Sequence, residues 1–317
     1  MIYNPYDGVS FSSQILGISH AHCVDQTQFE TLYDGGIRHF AISNYYPSAP
    51  CYPLSDNFSD VPNDAISSSN AEFARMTNIT SHCHLNGLGS TFSAGTAEDT
   101  SPHTTWQVLM DNVLSHMMYE DAGGITINHP VWSGLSFDEV CELFDYDERV
   151  LGIEIYNHSC EVQTQNGWAT SLWDEVLKTG RVCFGFAVPD HGAQYQSQWP
   201  WYGMNVLLSQ PNDEDCLKAY RSGAFYSRLK NTELKFSSIS VNKYGRVTVR
   251  TENADSITFV VNGTRHTVQG NSAEYVNSGA DIYCRVEAEG LGDKIFSNPV
   301  VYRVPKRQKE NGFFFTY

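Results

Sequence analysis

Short apolar runs alternate with amphipathic segments over the first two thirds of the chain. The runs have the length of buried strands, and apolar residues between them recur at helical spacing, as in repeated β-α units around a mainly parallel sheet. Seven runs are predicted to be strands: residues 14–22, 39–45, 77–89, 124–129, 152–157, 181–188 and 203–209. Seven strands with intervening helices predict an α/β fold built as an imperfect, TIM-like barrel.

Local signals set the limits of several helices. Ser136 and Glu139 have the spacing of a capping box, and Gly180 follows a segment that is typical of a helix end. These signals place later chemistry-bearing residues after strands, outside the helices. One helical stripe is interpreted as core packing: Trp106, Leu109, Met110, Val113 and Met117.

The pattern changes after residue 228. Strands are predicted at 246–251, 257–261, 280–287 and 299–304, and the Asn262-Gly263 dipeptide favours a type I′ hairpin turn. We therefore expect a barrel over 1–228, a small immunoglobulin-like β-sandwich over 229–305 and a C-terminal tail over 306–317. Whether the sandwich covers the barrel, mediates dimerisation or binds carbohydrate stays open, as does a docked or oligomerising tail.

Composition restricts the classes of function. Twenty Lys and Arg residues against 36 Asp and Glu give a formal net charge of −16, which disfavours binding to nucleic acid or anionic membranes. No apolar run reaches the roughly 20 residues of a membrane span, and no secretory signal is recognised, so a soluble, cytoplasmic protein is expected. The eight cysteines lack a Cys-x-x-Cys pair and are predicted to be free thiols.

Histidines recur at the ends of predicted strands. His20 and His22 lie two apart on the first strand, so their side chains project to the same side. His129 follows a second strand, and Asp190 with His191 follows a third. Because such strand ends meet at one mouth of a barrel, and imidazole and carboxylate groups are common metal ligands, the pattern predicts a metal-dependent hydrolase.

Two further segments leave alternatives open. In His82-Cys83-His84 either histidine could be a ligand, and Cys83 points away from both. Cys23 and Cys83 could act as nucleophiles, but simple packing is the preferred interpretation.

On a regular strand Glu154 and Asn157 face opposite sides, so Asn157 is expected to line the mouth and Glu154 to be structural. The remaining isolated histidines are interpreted as structural: His39, His103, His116 and His266.

The order of these motifs resembles the PHP family, named for polymerase and histidinol phosphatase, over about residues 14 to 304. The His-x-His at 20–22, the strand-His-Pro at 127–130, His84-Leu85-Asn86 and the closing Asp190-His191 carry the resemblance. It implies a distorted seven-stranded barrel with one to three zinc, manganese or iron ions and, in one branch, a trailing β-sandwich. The implied metal ligands are His20, His22, His84, His129, Asp190 and His191, with Asn78, His82 and Asn157 lining the substrate site.

The chain departs from that family's pattern at three places. Asn44-Tyr45 replaces the usual Asp-His or Glu-His, and Asn78 stands where a glutamate is expected to bridge two metals. The closing Asp-x-His is compressed to Asp190-His191, so only one of the two is expected to align. A site with these changes should bind fewer metal ions, or bind them less tightly.

The preferred interpretation is a phosphoesterase that acts on a small phosphorylated metabolite through metal-activated water. Asp190 or His191 is expected to be catalytic as the proton carrier. Hydrolysis of a C–N bond at the same site stays open, and so does a degenerate barrel that binds a ligand or partner without turnover. A homo-oligomer is also left open.

Overall fold

The protein is described by a computed structural model that covers residues 2–92, 103–194 and 203–304, with the backbone of 307–308 and 314–315. Its helices are α1 (Gln26–Asp34), α2 (Trp106–Ser115), α3 (Pro130–Ser133), α4 (Phe137–Asp145), α5 (His158–Thr164), α6 (Thr170–Lys178) and α7 (Asp213–Ser222). The first half of the strands are β1 (Ile15–Ile18), β2 (His39–Phe40), β3 (Ile66–Ser67), β4 (Glu72–Phe73), β5 (Leu85–Leu88), β6 (Gly124–Ile127), β7 (Val150–Asn157), β8 (Phe184–Val188), β9 (Met204–Leu207) and β10 (Phe225–Arg228).

The later strands form the C-terminal part. They are β11 (Lys235–Val241), β12 (Val247–Glu252), β13 (Ser256–Val261), β14 (Thr264–Gln269), β15 (Ser272–Tyr275), β16 (Tyr283–Gly290), β17 (Asp293–Ser297), β18 (Val300–Val301), β19 (Arg307–Gln308) and β20 (Phe314–Phe315). Only the pairing of β19 with β20 is described for the tail, so the prediction of a docked or oligomerising tail otherwise falls outside the described residues.

The described residues form a mixed α/β fold with three larger sheets, which confirms the predicted class. A five-stranded sheet has the order β4-β5-β6-β7-β8, in which β6, β7 and β8 run parallel. Strands β1, β2 and β3 are also parallel and belong to a ten-stranded sheet. Isolated parallel bridges join Ala21 to Asp190 and Tyr45 to Glu72, so the two sheets approach each other at these residues.

One predicted strand, 77–89, is much shorter than expected. Only Leu85–Leu88 is a strand, while Thr77 forms a single bridge with Thr105. Asn78 has a φ of 65°, in the left-handed region, which interrupts an extended strand. The predicted strand 39–45 likewise contracts to the two residues of β2. Strands β3 and β4 lie between these segments and were not predicted.

The predicted helix signals are present in the structure. Ser136 and Glu139 form a complete capping box at the start of α4, and α6 ends at Lys178, before Gly180. The stripe on α2 is buried except for Met117, which lies beyond the helix, since α2 ends at Ser115. Its buried residues pack against the five-stranded sheet in the main core.

The C-terminal strands form two facing layers. The three-stranded sheet β11-β12-β15 packs through Phe236 and Val249 against Phe259 and Val286. Asn262 and Gly263 both have positive φ, as a type I′ turn requires, so the predicted hairpin between β13 and β14 is confirmed. The second layer continues into the ten-stranded sheet, because β17 pairs with β10. The boundary at residue 228 stays a prediction.

Two simple properties follow from burial and helix length. All eight cysteines are buried and free, as predicted. Within the described ranges, no helix combines the length and apolar character that crossing a membrane requires.

Candidate metal centre

Six predicted residues converge at one edge of the sheets. His20 and His22 follow β1, His129 follows β6, and Asp190 with His191 follows β8. His84 comes directly before β5, and because β5 is antiparallel to β6, the start of β5 lies at the same edge as the end of β6. The ends of β1, β6 and β8 and the start of β5 therefore place their side chains in one cluster.

Glu72 lies at the middle of this cluster and was not among the predicted residues. It is the first residue of β4 and only 1% exposed. Its Oε2 lies 2.8 Å from His22 Nε2 and 3.3 Å from His20 Nε2. Its Oε1 lies 2.6 Å from His84 Nδ1 and 3.8 Å from His129 Nε2. Each carboxylate oxygen thus faces a different pair of histidines.

Three overlapping groups of side chains have donor atoms within 4.8 Å of one another. They are His20, His22 and Glu72; His22, Asp190 and His191; and Glu72, His84 and His129. Ligands that bind one zinc ion at about 2.0–2.2 Å lie at comparable mutual distances. The cluster therefore has the donor types and spacing of a metal centre, with Glu72 and His22 shared between groups.

Buried donor atoms without hydrogen bonds provide the test of fit. His20 Nε2, His22 Nε2 and Glu72 Oε2 are buried, and none makes a hydrogen bond of good geometry within the described residues. Buried polar atoms are nearly always paired, because leaving one unsatisfied is costly. These three atoms face one another, so one cation would satisfy all of them. The residues present fit a divalent metal ion.

Glu154 supports the cluster from behind. Its Oε1 lies 2.6 Å from His20 Nδ1, and its Oε2 accepts hydrogen bonds from the His129 backbone N–H at 2.7 Å and from Asn157 Nδ2 at 2.9 Å. A carboxylate on the far nitrogen of a ligating histidine fixes the orientation of the ring and makes it a better ligand. Glu154 is therefore placed to orient His20.

The expectation that Glu154 and Asn157 face opposite sides is wrong. The pairing of β7 with β8 shifts register between Glu154 and Tyr156, and this irregularity turns Asn157 to the side of Glu154. Asn157 is fully buried and also donates to Asp190 Oδ2 at 3.0 Å. It holds two carboxylates beneath the cluster and does not line an open mouth.

Asparagines in the strands support the same edge. Asn128 Nδ2 donates to Asn86 Oδ1 at 3.1 Å and approaches Glu72 Oε1 at 3.5 Å. Asn70 and Asn86 each donate to the Ser19 carbonyl oxygen at 2.9 Å. These buried amides fix the backbone next to His20 and restrict the position of Glu72.

Two cluster residues have unusual backbone conformations. His129 has a φ of 27° and Asp190 a φ of 54°, in a region that residues other than glycine rarely adopt. Such strain is often found at functional sites. The turn at Asp190 lets Asp190 and His191 face the same group of donor atoms. The expectation from the compressed spacing, that only one of the two would align, is not met, because this turn brings both to the cluster.

The carboxylates set the charge of the cluster. Burial by itself lowers the pKa of His20, but Asp190, Glu72 and Glu154 outweigh burial and raise that pKa well above its usual value. Burial opposes ionisation of Glu72, yet His20, His129 and His22 hold its pKa well below the usual range. Glu72 is therefore ionised, and a metal ion must displace a proton from His20 to bind there.

Asn44 and Tyr45 occupy the place where acidic and imidazole ligands were expected. The Asn44 side chain bonds both the N–H and the carbonyl of Cys23, at 3.1 and 2.9 Å, and so fixes the chain beside His22. The Tyr45 hydroxyl lies 3.1 Å from His191 Nε2, and the His191 ring stacks on that of His22 with centroids 4.0 Å apart. Tyr45 thus closes one side of the cluster.

The other predicted lining residues lie outside the cluster. Asn78 is exposed, and the carboxylate between the histidines is that of Glu72, six residues earlier. His82 is also exposed, and its ring faces Trp132. Both cysteines beside the histidines are buried, and burial raises the pKa of Cys83 to about 12 and that of Cys23 further. This favours packing over nucleophilic chemistry for both thiols.

Glu72 had only a weak signal in the sequence. It stands between Ala71 and Phe73 in an apolar stretch twelve residues before His84, but β4 is too short to show an alternating pattern.

Comparison with models of protein families, with curated proteins and with solved structures finds no match to this chain.

Proposed function

We propose that the chain is a metal-dependent hydrolase, a phosphoesterase that acts on a small phosphorylated metabolite. The observation that carries the proposal is Glu72, whose two oxygens face two different pairs of histidines. A carboxylate in this position is suited to bridge two cations. The resemblance to the PHP family rests on the histidines of this cluster, not on Glu72, and supports the same chemistry.

The proposed fold is a distorted seven-stranded barrel. Strands β4 to β8 form one continuous sheet, and the bridges Ala21–Asp190 and Tyr45–Glu72 connect its two edges to β1 and to the chain after β2. These seven strands would then surround the core, with the metal centre at the end where the bridges lie. The bridges support this assignment.

The proposed ligands are His20, His22, Glu72, His84, His129, Asp190 and His191. A bound divalent ion supplies Lewis-acid stabilisation of an anionic phosphoryl group and lowers the pKa of coordinated water. Glu154 and Asn157 orient the ligands from behind.

Between the two predicted proton carriers, His191 is the better placed. Asp190 is buried, and its oxygens face His20, His22 and Asn157. The His191 side chain is 25% exposed, so, as an alternative to serving as a metal ligand, its imidazole can exchange a proton with solvent or substrate. Burial, with a contribution from His22, lowers the pKa of His191, which favours a neutral imidazole near pH 7.

The non-catalytic alternative loses part of its basis. It depended on Asn78 replacing a bridging glutamate, and Glu72 supplies that carboxylate from another position. Tyr45 still replaces an expected ligand. The proposal therefore depends on Glu72, shared between two ions, and does not require a third ion.

Glu72→Gln tests the proposal, with Glu233→Gln, an exposed glutamate between β10 and β11, as the matched control. Protein purified without chelator should contain about two zinc, manganese or iron ions per chain and hydrolyse members of a phosphoester panel. Glu72→Gln should retain one ion or fewer and lose at least about 100-fold of the activity, because its neutral amide cannot neutralise two cations. Glu233→Gln should keep both properties.

Two outcomes would contradict the proposal. Absence of bound metal and of hydrolysis with any of these ions would overturn it. Tight metal binding without cleavage of phosphoesters, tested beside a panel of C–N substrates, would favour C–N hydrolysis or binding without turnover.

A further inference from the structure

A cavity of about 820 Å³ lies beside the metal centre. His84 and Tyr45, which contact the cluster, form part of its wall, together with Trp132, His82 and Arg75. No carboxylate lines it within the described residues. Two other cavities of the described structure have acidic residues beside their cationic ones, Asp64 and Glu252 in one and Asp215 in the other, whereas this cavity has a cationic side chain alone.

Arg75 carries the charge of this cavity. It lies two residues after β4, its side chain is exposed, and its φ of 59° places it in the left-handed region. No ion pair joins it to a carboxylate in the part of the chain that the structure describes. Three other arginines of the α/β part pair with an aspartate at 2.5–3.0 Å: Arg38 with Asp64, Arg149 with Asp147 and Arg181 with Asp145.

Trp132 connects the cavity to the metal centre. The centroid of its ring lies 4.9 Å from that of His129, 5.9 Å from that of His84 and 5.5 Å from that of His82. The indole thus lies against two proposed metal ligands and against the cavity. A flat aromatic surface of this kind packs well against a ring or an apolar segment of a ligand.

We propose that the substrate carries a second anionic group, a carboxylate or a phosphate, which Arg75 binds while the group to be hydrolysed lies at the metal centre. The part between the two anionic ends lies against Trp132. The guanidinium fork matches either anion through paired hydrogen bonds. The cavity is within the usual range for small-molecule sites, about 300–1,000 Å³. This inference rests on the proposed function for the reacting end only.

Inert phosphonates test the anion site without turnover. Calorimetric titration of metal-loaded protein should show that 4-phosphonobenzoate binds about 10- to 100-fold more tightly than phenylphosphonate, as expected for hydrogen bonds between charged groups. Arg75→Gln should abolish that preference and leave phenylphosphonate binding within about twofold. Arg250→Gln, an exposed arginine on β12, is the matched control and should preserve the preference. Benzene-1,4-diphosphonate should bind more tightly than 4-phosphonobenzoate if the distal group is a phosphate, and less tightly if it is a carboxylate.

The matching esters, phenyl phosphate and 4-carboxyphenyl phosphate, separate the two proposals. Hydrolysis of both with equal kcat/KM, and equal affinity for the two phosphonates, would overturn the role of Arg75 while the hydrolase survives. A preference among phosphonates that depends on Arg75, without hydrolysis of either ester, would support the anion site and contradict the phosphoesterase. A preference that Arg75→Gln leaves intact would also overturn the role of Arg75.

Discussion

Two clusters of buried charged residues in this protein differ in how their charges are paired. In the candidate metal centre, carboxylates and imidazoles face one another, and three donor atoms make no hydrogen bond with the residues that the structure describes. In the cluster around Arg285, on β16, the buried cation is surrounded by acids. Arg285 Nε and Nη2 lie 2.7 and 2.8 Å from the oxygens of Asp174, and Nη1 lies 2.6 Å from Glu287 Oε1.

The second cluster is complete within the chain. Glu287 also accepts from Arg265 and, at 2.6 Å, from Lys294 Nζ, and the Tyr283 hydroxyl donates to Asp174 at 2.8 Å. Because Asp174 lies on α6, the cluster joins the α/β part to the C-terminal sheet. Glu289 adds a third carboxylate, 3.0 Å from Lys294 Nζ, so three cations face three carboxylates and the cluster needs no external ion.

The difference shows how to separate structural from functional burial of charge. Burying ionised groups is expensive unless each one is paired. The Arg285 cluster meets this requirement with its own residues, whereas the candidate metal centre would meet it with an added cation. Unsatisfied donor atoms that face one another identify a binding site more clearly than the number of histidines does.

The largest expected difference between the clusters is the response to metal. Zinc at about 1,000 times its dissociation constant should raise the free energy of unfolding of the chelator-treated protein by about 4 kcal/mol, because only the folded chain assembles the site. Urea unfolding with and without zinc measures this gain. Equal stability in both conditions would remove the distinction between the two clusters.

The next effect comes from breaking the complete cluster. Arg285→Met should lower the free energy of unfolding by about 3 kcal/mol, because it leaves Asp174 and Glu287 buried with fewer partners. Lys235→Gln, which removes an exposed ion pair with Glu252, should change stability by less than about 0.5 kcal/mol. Arg285→Met should still gain the same stability from zinc; loss of that gain would show that the clusters are coupled.

The smallest effect is a difference in pH dependence. The folded pKa of His20 is raised, so its contribution to the stability of metal-free protein is complete below the unfolded pKa of about 6.5 and is lost as pH rises through the folded pKa. Metal-free protein should therefore lose up to about 1.4 kcal/mol of unfolding free energy per pH unit in this range, and zinc should suppress the loss.

The Arg285 cluster provides the contrast in the same titration. Paired cations outweigh burial and lower the pKa of Glu287 to about 2, so its contribution is present above the unfolded pKa of about 4.3 and is lost only as pH falls towards 2. Glu287 adds no slope above pH 6.5. Urea unfolding of metal-free protein at several pH values measures both windows, and a flat profile above pH 6.5 would contradict the assigned environment of His20.

The sequence predicted the parts of the site that follow from strand periodicity. His20, His22 and His129 could be found because strand ends leave a pattern in the order of apolar residues. Glu72 could not, because β4 has two residues and its position depends on pairing with the chain near Tyr45. That pairing is tertiary and has no local signal.

Backbone irregularities hid the remaining features. Asn157 contacts Glu154 because of a register shift between β7 and β8. Asp190 adopts a positive φ, and because it is not a glycine the sequence gives no signal of this turn. Both depend on the surrounding structure, which holds residues in conformations that their own preferences disfavour. The class of fold was predictable because it depends on many residues, whereas these details depend on one or two.

The continuous sheet has a practical consequence for dissecting the protein. Since β10 pairs with β9 on one side and β17 on the other, a chain cut at residue 228 would uncover the backbone N–H and C=O groups along one side of β10. Exposed strand edges recruit other chains and promote aggregation. Removal of the C-terminal strands would therefore yield an aggregation-prone fragment. Loss of activity in such a truncated protein would say little about which half contains the catalytic residues.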